Sequence, residues 1–462
     1  MRKSLGAWLF TLGTACAHVP EKPPESAAGE PVSAETLLER AEAAYEARDY
    51  PGCAALYRQR VARCGDDDCR AGSHYEAASC LALAGQPAPA LEEAKLAVAR
   101  GYFNAEKLKL DPELASLHAL PGWGDVLAAV QTNRDKAEYP PMPVPVLVAV
   151  DTYGSRQVEP GDVLALLGVE TGKPFVHSRA LFQDKAAELR KRYDLAWADV
   201  SLSYWLDSPT EARAYITVDL VDTGDTERLR FLPAPKGTPE DPEGLVARWR
   251  AYEKRGFELL QRGALNQEEG PACRVAHCIW GFAHPEFAPL EPVLVERVPV
   301  LRDAVVKVLR EDANPEKRAA AAFVLAYAGT PEQVVASLVP FIRDPDGGVR
   351  NNVLRVLTAV QEAADRPLVD VDVVVDAISM PEGTDRSKSL YLLQMLLDDM
   401  KPEAVRALRA TLIQRLGASL VAHAGFALPH FREPAVLILQ RLSGEKHEAP
   451  EQWKAWLSRQ TQ

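Results

Sequence analysis

The stretch of this chain that most invites chemistry is CRVAHCIWGFAHPEF, which places Cys273, His277, Cys278 and His284 close together. Thiolates and imidazoles are the ligands zinc prefers, and neighbouring thiols can also exchange electrons. The Cys-x4-Cys spacing with these histidines is not a standard zinc pattern, and the run is otherwise apolar, as a buried helix would be. Three readings stand side by side: a metal or redox centre over Cys273–His284, a Cys273–Cys278 disulfide, and packed thiols. Elsewhere the chain has no Gly-rich phosphate loop, no G-x-S-x-G and no H-E-x-x-H. His177 in HSRAL opens an ordinary helix, and Asp398-Asp399 reads as a solvated helix end. The expectation is a chain with no catalytic residues, no metal and no cofactor. It is non-enzymatic, with an inert structural spacer as a further alternative.

The remaining cysteines point to a compartment. Cys53, Cys64, Cys69 and Cys80 fall in one short region, so with Cys16 set aside both groups are even. Even groups suit disulfides in an oxidising compartment such as the periplasm. Cys64 and Cys69 flank one acidic turn, and Cys53 and Cys80 lie on helices expected to pack side by side, which predicts Cys64–Cys69 and Cys53–Cys80. The net charge of −12 and the lack of a basic run argue against nucleic acid or an anionic lipid surface as partner.

At the N-terminus, Arg2 and Lys3 precede the uncharged run from Gly6 to Ala15, and Cys16 follows. This is the layout of a secretory signal, and it is too short to span a bilayer. Leu12-Gly13-Thr14-Ala15-Cys16 resembles the lipobox of bacterial lipoproteins. The resemblance implies cleavage after residue 15, acylation of Cys16, and, since Ala17 is not Asp, an outer-membrane anchor facing the periplasm. The alternatives are cell-surface display, or secretion after a cut near Ala17.

Proline-rich joints divide the rest: residues 16–32 as a tether, a short joint at YPPMPVP, and residues 223–244 as a linker. The expected class is mostly α, with helical hairpins, a small β-α-α-β-β middle domain and a C-terminal α-solenoid. In residues 33–136, apolar residues recur at helical spacing. Ala41, Tyr45, Asp49, Tyr50 and Tyr57, then Ala78, Gly85, Ala90, Ala94 and Ala97, resemble two tetratricopeptide (TPR) repeats, with Trp123 closing the last face. The resemblance implies a groove for a peptide or protein.

Residues 144–222 change period. Val200, Leu202, Tyr204 and Leu206 alternate with polar residues, as do Ala214, Ile216, Val218 and Leu220 with Arg213, Thr217 and Asp219. That predicts half-buried strands joined by DSPTE, the polar side facing water. Gly154, Leu166-Leu167-Gly168, Gly172, Phe175 and Tyr193 make the block similar to a POTRA domain, a family that pairs its edge strand with partner polypeptides.

Residues 245–462 return to helical spacing and repeat. Arg318, Arg350 and Arg386 are each followed seven residues later by Leu325, Leu357 and Leu393, while Asp312 and Asp344 stand six before the first two. Asn314, Asp346 and Glu382 stand four before all three. The pattern resembles HEAT repeats, and each arginine is expected to reach a turn acid of a neighbouring unit. A fourth unit, LIQRLGASLVAHAGFALPHF, keeps the apolar pattern without an arginine of the ladder, and Trp453 and Trp456 form a terminal cap. The expected partners are proteins or peptides of the cell envelope, met by a scaffold or adaptor.

Overall fold

A computed structural model describes residues 10–12, 32–138, 141–208, 210–261, 265 and 272–460. Cys16, most of the expected signal segment and nearly all of the tether lie outside the described residues. Among those described, no helix is long and apolar enough to cross a membrane.

The N-terminal block begins with two antiparallel helical hairpins, α1 (Ala34–Glu46) with α2 (Tyr50–Val61), and α3 (Asp67–Leu83) with α4 (Pro87–Ala99). Ser33, Asp49 and Asp66 accept backbone N–H bonds at the starts of α1, α2 and α3, which fixes where each begins. The shared core is rich in small side chains, among them Ala41, Ala54, Ala78, Ala90 and Ala94, so the helices approach closely. A short α5 (Ala105–Leu110) and α6 (Trp123–Lys136) close the block, with Trp123, Val126 and Val130 buried. Disulfides join Cys53 to Cys80 and Cys64 to Cys69, with Cα atoms 6.1 and 5.5 Å apart.

The middle domain runs β2 (Val146–Tyr153), α7 (Pro160–Leu167), α8 (Arg179–Tyr193), β3 (Leu195–Ser208) and β4 (Glu211–Asp222). β4 lies between β3, which is antiparallel to it, and β2, which is parallel. A short β1 (Phe10–Leu12) adds to the outer edge of β3 against Leu202–Tyr204. Ala214, Ile216, Val218 and Leu220 of β4 pack on α7 and α8 through Val163, Leu166, Phe182 and Leu189. The other face of β4 does not meet water as the alternation predicts. Tyr215, Thr217, Asp219 and Val221 are all buried, because that face lies on the C-terminal helices.

Those helices are α9 (Leu245–Gln261), α10 (Leu290–Glu311), α11 (Pro315–Val324), α12 (Pro331–Leu338), α13 (Gly347–Glu362), α14 (Val371–Ile378), α15 (Gly383–Asp399), α16 (Pro402–Ala424), α17 (Pro429–Ser443) and α18 (Pro450–Gln460). From α10 to α17 they form antiparallel pairs. The second helices α11, α13, α15 and α17 pack against one another in series, and each first helix packs on its own partner. The second helices are therefore the inner layer of the stack. Trp453 and Trp456 are buried under the last turn.

Two stretches depart from expectation. CRVAHCIWGFAHPEF is not a helix but an irregular segment of bends and turns, with Cys273 bonded to Cys278 and the Arg274 N–H donating to Glu291 at 2.6 Å. Residues 223–244, expected as a free linker, run along the edge of the stack. The Leu232 N–H donates to Arg343 O at 2.8 Å, the Phe231 ring lies 4.4 Å from the Arg350 guanidinium, and Gly237 exchanges backbone bonds with Glu311 and Ala313. At Gly237 a Cβ would lie 2.7 Å from Glu311 O, so only glycine lets the strap lie this close.

Candidate functional site

The polar residues of the sequence repeat converge on the turn edge of the stack, where the second helices begin. Arg318 sits on α11 and makes a two-pronged pair with Asp344, Nε to Oδ2 at 3.0 Å and Nη2 to Oδ1 at 2.8 Å. Its Nη1 donates back to Asp312 O and Ala313 O at the turn of its own unit. Arg350, on α13, repeats this with Asp344 O and Pro345 O, and pairs forward with Asp385 at 2.8 Å and Glu382 at 2.5 Å. These arginines are buried, and charge-assisted forks of this kind satisfy buried guanidinium groups. Each helix start is also closed by its own unit. Asn314 caps α11 and Asp346 caps α13.

The third unit breaks this self-sufficiency. Met380 stands where Asp312 and Asp344 stand in the units before it, and Glu382 makes no side-chain cap on α15. The missing carboxylate comes from the middle domain. Asp219 of β4 pairs with Arg386 through one oxygen and accepts the Gly383 N–H through the other at 2.8 Å. Both partners of the ion pair are fully buried. Burial pushes the Asp219 carboxyl up from its ordinary value, against the pull of Arg386. Arg386 Nε donates to His423 Nε2 at 3.2 Å, and its guanidinium lies 4.2 Å from the Tyr153 ring centroid. His423 Nδ1 lies 2.7 Å from Ser419 O, a network that assigns the proton to Nδ1 and leaves Nε2 to accept. Burial and the facing Arg386 hold this histidine well below its usual range, so it is neutral. Arg228 closes the site, donating to Gly154 O, Leu220 O and Ser379 O.

The fourth unit has an arginine after all. Arg432 on α17 donates Nη1 to Phe426 O and Ala427 O, six and five residues back, as Arg318, Arg350 and Arg386 do in their units. It is followed seven residues later by the buried Leu439. No side chain of its own unit caps α17. Asp151 of β2 does so instead, accepting N–H bonds from Ala427 and Leu428 at 3.1 to 3.2 Å. Asp151 and Asp219 lie on adjacent parallel strands, so one sheet face supplies the acids for two consecutive units. Farther along β3, Trp205 stacks on His430 at 4.9 Å.

A second internal contact fills the N-terminal block. Glu113 accepts from the hydroxyls of Tyr45, Ser79 and Ser178, and the Ala180 N–H donates to Tyr45 at 3.2 Å. Residues 178–180 of the middle domain thus sit against the N-terminal block. Burial lowers the His177 pKa to about 4, with Arg179 and Lys107 adding to the effect.

The Cys273–His284 cluster is not brought together as a ligand set. The Cys273 and Cys278 sulfurs are bonded to each other, His277 stacks on Phe323, and His284 lies tilted against Phe287. No group of three or more His, Cys, Asp or Glu side chains suited to a metal occurs among the described residues.

The fold and its junction define an α-solenoid with an α+β module docked along the turn edge of its later units. A family model described as HEAT repeats matches residues 302–414, a span that includes Arg318, Arg350 and Arg386 and stops short of Arg432. HEAT repeats generally mediate protein–protein interaction through their extended surfaces. No curated protein and no solved structure matches the chain.

Proposed function

We propose that this protein is a non-enzymatic scaffold or adaptor of a bacterial cell envelope, anchored to the outer membrane through acylated Cys16 and facing the periplasm. The observation that carries this reading is the inner face of the HEAT-like stack. It is a continuous row of second helices, α11, α13, α15 and α17, packed against one another in series. The disulfide pairs suit an oxidising compartment. With residues 178–180 docked on the TPR-like block, partner binding falls to the stack and to the edge of the POTRA-like sheet. That edge becomes free to pair with a partner strand if cleavage before Cys16 removes Phe10–Leu12.

The test has two arms. Cys16→Ser should release the protein from outer-membrane fractions and remove the acyl mass increment. Crosslinking in intact envelopes should recover defined partner proteins with the wild-type chain. A Cys16→Ser protein that fractionates and weighs as the wild type does rules out the anchor. Crosslinking that recovers no specific partner favours an inert spacer.

A further inference from the structure

Five residues after each ladder arginine stand Phe323, Arg355, Tyr391 and Leu437. Five helical steps turn about 140° from the arginine, which puts this row on the inner face of the stack. Phe323 is roofed by Trp249 and His277 and lies 5.5 Å from the Arg355 guanidinium. Arg355, Tyr391 and Lys388 are half-buried, and Leu437 is 45 % exposed. The other half-buried or buried arginines of these units are bonded, among them Arg318 to Asp344, Arg350 to Asp385, Arg386 to Asp219, and Arg415 to Asp372 and Asp376. Arg355 and Lys388 have no ion pair and no hydrogen bond among the described residues. Burial and the nearby Arg355 charge bring the Lys388 pKa down to about 7, with only Asp385 opposing. Burial also lowers Arg355, with only Glu253 opposing.

Two neighbouring cations, partly withdrawn from water and without a direct ion pair among the described residues, are costly to keep. In a chain of net charge −12 they stand out further. We propose that the inner face between α13 and α15 binds an acidic peptide segment of a partner protein, with Arg355 and Lys388 pairing its carboxylates. Tyr391 and Leu437 offer apolar contact beside them, and the Asn351 and Asn352 amides border the same face. Neighbouring helices lie about 8–10 Å apart, a spacing that suits an extended chain crossing both. The overall negative charge disfavours a long polyanion such as nucleic acid. This inference rests on the scaffold reading and names the chemistry of its partner.

The test uses the full chain and a fluorescein-labelled twelve-residue peptide alternating Glu with Gly and Phe, read by anisotropy. Its Gln analogue and inorganic polyphosphate serve as comparisons. The Glu peptide should bind at least about tenfold more tightly than the Gln analogue, and Arg355→Ala with Lys388→Ala should remove that advantage. Lys388→Met, which keeps the stem, should lose part of it with the melting temperature unchanged or raised. Equal binding of the Glu and Gln peptides, or an unaffected double variant, overturns the proposal. So does displacement by polyphosphate as effective as by unlabelled peptide, which would make the site one for phosphate. Envelope crosslinking separates the two readings. Identical partners captured by wild type and double variant overturn the acidic-peptide site and leave the scaffold standing, whereas no partner with either overturns both.

Discussion

The first two units of the stack and the last two solve the same problem with acids from different places. Arg318 pairs with Asp344, and α11 and α13 are capped by Asn314 and Asp346, all within the repeat array. Arg386 pairs with Asp219, and α15 and α17 receive their N-terminal acceptors from Asp219 and Asp151 of the sheet. Arg350 stands at the changeover and takes two acids, Asp385 and Glu382, from the third unit. The early units carry their own ladder. The late ones have ceded theirs to another domain, so their stability and the docking of the sheet are one quantity.

Removing one partner of the buried pair tests this most severely. Arg386→Ala should cost about 3–5 kcal/mol, because Asp219 is left buried and uncompensated. Hydrogen exchange should then open both β4 and α15. Arg318→Ala should cost a similar amount yet leave β4 protected. If the two variants open the same regions, the distinction between the halves is wrong.

Next in size is Arg432→Ala, which removes bonds to Phe426 O and Ala427 O and the charge beside Asp151. A loss of about 1–3 kcal/mol in denaturant unfolding is expected. A change within error would make Arg432 an ordinary surface residue. Asp151→Ala should cost about 1 kcal/mol, the usual value of a helix cap. Its effect should vanish in an Arg386→Ala background if that change has already undocked the sheet.

Acidity sharpens the comparison least. The His423 and His430 pKa values lie below their usual range, that of His430 at about 4, chiefly through burial. Below about pH 6.5 the unfolded chain therefore binds protons that the folded one does not, and stability falls as pH drops toward 4. His177 in the middle domain and His277 against Phe323 of the first unit are shifted the same way, to about 4 and about 3, so acidification should loosen exchange protection in early and late units alike. Glu382 works in the opposite sense. Burial raises it to about 8, so its contribution favours the folded chain less as pH rises from about 4.5 to 8. Glu382→Gln should flatten that slope.

Much of the helical architecture could be read from spacing. The stride from Arg318 to Leu325, Arg350 to Leu357 and Arg386 to Leu393 starts near the beginning of α11, α13 and α15 and, in the first, runs to the residue that ends the helix. The same stride from Arg432 to Leu439 was present but unrecognised, because the 23-residue α16 stretches the interval between units. The roles of Asp151 and Asp219 were not legible. A strand alternates apolar and polar residues in the same way whether its second face meets water or a polar junction. The apolar run at Cys273–Phe287 misled for a related reason. Hydrophobicity reports burial, and a disulfide-closed loop can be buried without being a helix.

The position of the two aspartates along the chain carries a consequence for assembly. Asp151 meets Leu428 across 277 residues, and Asp219 meets Gly383 across 164. Contacts so distant form late, and a chain that emerges from its N-terminus completes the sheet before the later units exist. The sheet then serves as a template, holding carboxylates in place for helices still to come. Those helices gain their caps only on arrival, so the last units of the stack mature in the order in which they reach the sheet.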